Sequence, residues 1–110
     1  MTDAEAETSR VKLILAVTQA ERLLRRYSIT DWADTLNRAA TLITGSDFSG
    51  VDDLFSIFGG MGSFNDIVIH PLNGNPIEDS EIDRVNNDFQ SLKTDIYEIV
   101  TALRRYQYAR

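Results

Sequence analysis

Residues 82–106, IDRVNNDFQSLKTDIYEIVTALRRY, place Ile82, Val85, Phe89, Leu92, Ile96, Ile99, Leu103 and Tyr106 at successive spacings of three, four, three, four, three, four and three. That alternation predicts one long amphipathic helix with a heptad seam over about 25 residues, roughly 38 Å. Burying eight such side chains contributes on the order of 12–24 kcal/mol gross, before chain entropy is subtracted. The seam must therefore lie against another helix. A partner in the same chain is favoured over a second copy, because short connections make up-and-down bundles.

Working back from it, Leu13, Val17, Ala20, Leu24 and Tyr27 recur at helical spacing and predict a first long helix from about Thr8 to Tyr27. Glu21 and Arg25 form an i,i+4 pair on its surface, and residues 1–7 read as a flexible acidic lead-in. A second helix is expected after a capping box at Ser28 to Asp31. Its inner face is Trp32, Leu36, Ala40 (or Ala39) and Ile43, and a left-handed Gly45 closes it. A third, shorter helix begins near Asp47 or Ser49, with Ser49 and Asp52 in capping positions, and presents Val51, Leu54, Phe55 and Phe58. The next 18 residues, GGMGSFNDIVIHPLNGNP at 59–76, hold four of the six glycines and both prolines. Ile67 to Ile69 is β-branched and suits one short strand, but Pro71 and Pro76 oppose a paired hairpin. The expected fold is mainly α: a single domain over 1–110, a compact bundle of about four helices with an irregular glycine-rich segment, and at most one short strand before the last long helix.

At 110 residues the chain has room for one core. With no cysteine and one histidine, disulfides, thiolate metal sites and an all-protein zinc site fall away, and no cofactor is expected. Neither a long apolar run nor a basic-then-apolar leader occurs, so the expectation is a cytoplasmic protein without a membrane. From Ala39 to Asp83 there is no Lys or Arg, while Asp47, Asp52, Asp53, Asp66, Glu78, Asp79, Glu81 and Asp83 give that stretch a formal charge of −8. Such a field repels nucleic acid and attracts a basic protein. Arginines beside tyrosines, Arg26–Tyr27 and Arg105–Tyr106 with Tyr108 and Arg110, read as helix-terminal cations rather than a nucleic-acid stacking surface.

The phrase Gly59 to Asp66 invites a phosphate-loop reading, but no Lys follows it and no strand precedes it. A helix stop with positive-φ turns is the simpler account, with Met61 and Phe64 as apolar plugs. Ser63, Asp66 and His70 have the residue types of a catalytic set, yet their closeness in sequence is poor grounds for one, and no enzyme is expected. The GGMGSFND phrase, with weaker agreement over 47–58 and 67–69, resembles a group of small bacterial domains of unknown function. The resemblance implies a compact helical domain and assigns no residue a role.

The functional expectation is a small acidic interaction protein, an inhibitor or immunity protein that neutralises a basic toxin or enzyme. Its partner-binding residues would be Asp52, Asp53, Asp66, Glu78, Asp79, Glu81 and Asp83, with Phe64 as apolar anchor. A monomer is favoured. The alternative is a homodimeric helical scaffold or adaptor built on the seam, and an enzyme using the glycine-rich loop ranks below both.

Overall fold

The computed structural model describes residues 1–59 and 62–109, so Gly60, Met61 and Arg110, including the expected Met61 plug, lie outside the described residues. Four α-helices form the frame: α1 (Asp3–Arg26), α2 (Thr30–Thr44), α3 (Ser49–Ser56) and α4 (Ile82–Tyr108). Arg10, early in α1, donates to the Ile43 carbonyl at the end of α2 (3.0 Å), and Tyr27, just past α1, donates to Glu81, just before α4 (3.5 Å). Thus α1 runs antiparallel to both. The expected bundle of about four helices is present, and α4 packs within the chain against α1 and α3. No strand occurs and no helix is long and apolar enough to cross a membrane among the described residues.

Several helix ends differ from expectation for local reasons. The lead-in is the first turn of α1: Thr2 and Glu5 form the reciprocal capping box, so the helix starts at Asp3. Ser28 does not cap α2, which has Ile29 at its N-cap and no side-chain cap. Instead Ser28 takes the left-handed conformation (φ 64°) that ends α1, where the amide of Ile29 bonds the Leu24 carbonyl and that of Ser28 bonds Arg25. The same pattern ends α2, with Ser46 (φ 63°) in the left-handed position and Asp47 bonded back to Leu42. Gly45 stands one residue too early and keeps φ −82°. The serines hold a conformation usually given to glycine. Ser49 likewise turns back, donating to Asp47 (2.7 Å).

The core runs the length of the molecule. Leu13, Val17, Ala20 and Leu24 of α1 meet Ala33, Leu36, Ala39 and Ile43 of α2 and Val85, Phe89, Ile96, Val100 and Leu103 of α4. Trp32 is only partly buried, and Ala33 takes the inner position beside it. Along α4 the most buried stripe is Val85, Phe89, Lys93, Ile96, Val100 and Leu103, so it drifts off the strict heptad seam. A straight helix of 3.6 residues per turn produces that drift, and α4 must cover α3 and the irregular segment as well as α1. Gly50 sets the α2–α3 approach. A Cβ there would lie 2.6 Å from the Ala39 carbonyl oxygen and 2.8 Å from the Ile43 side chain.

Candidate interaction surface

The irregular segment is fixed to α4 by side chains that bond backbone. Phe64 opens a 3-10 turn (Phe64–Asp66) and is fully buried, edge-on to Trp32, Phe58 and Phe89 at ring-centroid distances of 5.5, 5.4 and 5.6 Å. Lys93 lies beneath this turn, 4 % exposed, donating from Nζ to the carbonyls of Asn65 (3.2 Å) and Ile67 (3.5 Å). Its ammonium also sits over the Phe89 ring at 4.7 Å. Burial pushes that ammonium below the ordinary lysine range, while the nearby Asp66 carboxylate pulls the other way. A segment without a cation of its own is thus clamped by one borrowed from α4.

Ile67 to Ile69 is extended, and a side chain replaces the missing strand partner. The Ile69 amide donates to Asn86 Oδ1 (2.9 Å), and Asn86 Nδ2 donates to the carbonyls of Ile69 and Ile82 (both 2.8 Å). Beyond it, a second 3-10 turn (Pro71–Asn73) closes on left-handed Gly74. His70 Nδ1 accepts from the Leu72 amide (3.0 Å). The His70 amide donates to Asn75 Oδ1, Asn73 Nδ2 to the Val68 carbonyl, and Asn75 Nδ2 to the Tyr27 carbonyl.

These bonds bear on the sequence-based candidates. Ser63 accepts from Asn65, Asp66 from the Gly62 amide (2.8 Å) and His70 from Leu72, so each side chain serves its own turn; the Asp66 amide bonds the Ser63 carbonyl within that turn (3.0 Å), and no side-chain-to-side-chain hydrogen bond links the three among the described residues. The Gly62 amide, which an anion would need, is spent on Asp66. Tyr27 is buried with Arg26 over its ring, and Tyr108 has Arg104 over its ring at 5.3 Å and its hydroxyl on Asp52, so both tyrosines have partners within the chain.

The proposed partner-binding residues separate. Phe64 cannot act as a surface anchor, because it fills the aromatic centre of the core. Asp52 is engaged within the chain: Arg104 Nε donates to its Oδ1 (2.9 Å) and the Tyr108 hydroxyl to its Oδ2 (2.5 Å), and Arg104 stacks over Phe55 at 3.9 Å. The hydrogen bond from Tyr108, and then that from Arg104, holds the Asp52 carboxyl below its ordinary value. Glu81 is shared between Tyr27 and Arg84 (3.8 Å). Asp53, Asp66, Glu78, Asp79 and Asp83 are exposed and form no ion pair among the described residues. They do not form one patch. Glu78, Asp79 and Asp83 stand at the start of α4, whereas Asp52 and Asp53 lie by Arg104, roughly 30 Å along the helix.

Lys93 and Asn86 were missed from sequence. A signal existed for Lys93: Phe89, Lys93, Ile96 and Val100 follow spacings of four, three and four, as helical as the seam itself. Nothing in the spacing marks Asn86, whose role depends on a segment distant in sequence.

Fold and surface together define a small helical bundle carrying a braced, acidic, irregular insertion between its third and last long elements. Residues 25–78, just under half of the chain, match the family described as a domain of unknown function, DUF6966. That agrees with the expected small domain family of unknown function, and the matched span contains Gly59 to Asp66. No curated protein and no solved structure matches the chain.

Proposed function

We propose that this chain is a small acidic binding protein that covers a basic surface on a protein partner, acting as an inhibitor of the immunity-protein kind against a cationic toxin or enzyme. One observation carries the reading. Asp66, Glu78, Asp79 and Asp83 are exposed, without an ion pair among the described residues, on or beside a segment without Lys or Arg, and Lys93, the cation beneath the 64–66 turn, is directed inward to hold its backbone. The partner meets negative charge with its scaffold already ordered, which favours rapid, salt-sensitive association. The scaffold alternative relied on the α4 seam, of which Val85, Phe89, Ile96 and Leu103 are buried within the chain and Ile82, Leu92 and Ile99 only partly so, which favours the binding-protein reading.

The test is affinity capture from the source cells, followed by titration of the purified partner across ionic strength and against a protein carrying Asp66→Lys, Glu78→Lys, Asp79→Lys and Asp83→Lys. The expected result is a basic partner whose activity is blocked at stoichiometric ratio, with affinity falling by about tenfold or more on charge reversal and falling with salt. Affinity indifferent to both overturns the proposal.

A further inference from the structure

The segment 67–75 is held in shape by a set of side-chain-to-backbone hydrogen bonds, and what its turn presents outward is apolar. Leu72 is 89 % exposed, the most exposed large hydrophobic side chain among the described residues, and Val68, 53 % exposed, is tied to the same turn by the Asn73-to-Val68 hydrogen bond (2.9 Å). Four side chains brace this turn. His70 takes the Leu72 amide, Asn73 the Val68 carbonyl, Asn75 joins the turn to the end of α1, and Asn86 fastens Ile69 to α4. Pro71 restricts φ at the start of the turn, and Gly74 takes the left-handed conformation (φ 81°) that closes it. A lone exposed leucine needs no explanation on a helix surface. Set at the tip of a braced turn, it loses little further entropy when a pocket closes over it, which is how a preorganised anchor gains affinity.

We infer that Leu72, with Val68 beside it, is the apolar anchor of the interface, inserting into an apolar pocket that is rimmed by Lys or Arg on the partner. Charge complementarity selects that occupant: Asp66 precedes the turn, Glu78 and Asp79 follow it, and no Lys or Arg occurs between them. The inference rests on the basic-partner reading, and gives the interface the anchor that buried Phe64 cannot supply.

The experiment compares the full chain with Leu72→Ala, Asn73→Ala and the four-residue charge reversal, using as probe the partner captured by the unaltered protein. Photo-crosslinking from p-benzoylphenylalanine at position 72, with position 15 as an exposed control, identifies what touches the turn. Leu72→Ala should leave the thermal unfolding midpoint unchanged, because the side chain contacts almost nothing, yet weaken binding by about tenfold or more. Asn73→Ala should weaken binding by loosening the turn while Leu72 is still present. Crosslinks should form at 72 and not at 15. A partner lost on charge reversal but bound within about twofold by Leu72→Ala overturns the anchor and leaves the basic-partner reading standing. A partner sensitive to Leu72→Ala but indifferent to charge and salt supports the anchor and overturns that reading. Capture of nothing that crosslinks at 72 or responds to charge overturns both.

Discussion

Asn86 holds Ile69 by both of its backbone polar groups, taking the amide at 2.9 Å and meeting the carbonyl at 2.8 Å, so that one side-chain amide does the work of a neighbouring strand. Ile69 is fully buried, so the two groups have no water to turn to if Asn86 is removed. Asn86→Ala should destabilise the protein by about 2–3 kcal/mol, the cost of leaving buried backbone groups unpaired. Asn86→Asp, which keeps an acceptor for the amide but sets a carboxylate against the Ile69 and Ile82 carbonyls, should destabilise at least as much near neutral pH and recover in part where the carboxyl is protonated and can donate. Chemical denaturation checks both, and an Asn86→Ala protein as stable as the parent would contradict the assignment.

Gly50 should tolerate no side chain. A methyl group would stand 2.6 Å from the Ala39 carbonyl oxygen, a backbone atom that cannot rotate away. Gly50→Ala therefore costs about 1–3 kcal/mol through overpacking, although alanine is the better helix former. The thermal unfolding midpoint measures it, and a rise in that midpoint would show that α2 and α3 are not in close contact.

Lys93 carries a burial cost that depends on pH. Because its folded-state value lies below the ordinary 10.5, the unfolded chain holds a proton that the folded chain sheds, and stability rises with pH between the lowered value and 10.5. Lys93→Met should remove that rise and leave stability near neutral pH within about 1 kcal/mol, because an apolar replacement relieves desolvation as it loses two hydrogen bonds. The turn at 64–67 should nevertheless exchange its amide hydrogens faster in Lys93→Met. Denaturation of the two proteins at matched pH values, with hydrogen exchange, separates these effects.

The Asp52 carboxylate ties α3 to the last turns of α4, and it does so most strongly above the carboxylate range. Its folded-state value is depressed below the ordinary 3.8, so its contribution is complete above that value and is lost as pH falls through the depressed one. The hydrogen bond to Asp52 in turn raises the Tyr108 phenol above its ordinary range. Asp52→Asn should return the Tyr108 titration towards that range, read from the ring carbon resonances. An unchanged Tyr108 titration would mean that the pair is not formed.

The helices were legible in the sequence because apolar spacing reports directly on which face is buried. The seam of α4, the face of α1 and the Glu21–Arg25 pair (2.9 Å) follow from it. What spacing does not encode is partnership at a distance. Ser28 reads as a polar cap and Gly45 as the left-handed stop of α2, yet the left-handed positions that end α1 and α2 fall on Ser28 and Ser46. Lys93 reads as a surface cation until a cation-free segment is laid over it. Phe64 was expected in two places at once, as plug and as anchor, and only the packing of Trp32, Phe58 and Phe89 around it decides for the core. The charge of the segment 39–83 was plain from sequence, whereas the division of its acids between intramolecular pairs and solvent required the fold.

Amide hydrogen exchange of the free protein and of its complex with the captured partner tests most directly whether the acidic, braced segment is the working surface. New protection is predicted across 66–83, at the turn bearing Leu72 and the first turn of α4. At the opposite end of the bundle, where Ala6, Ile43, Phe48, Val51 and Leu103 line a groove of about 310 Å³, exchange should be unchanged. Protection confined to that groove, with residues 66–83 exchanging as in the free protein, would contradict the account.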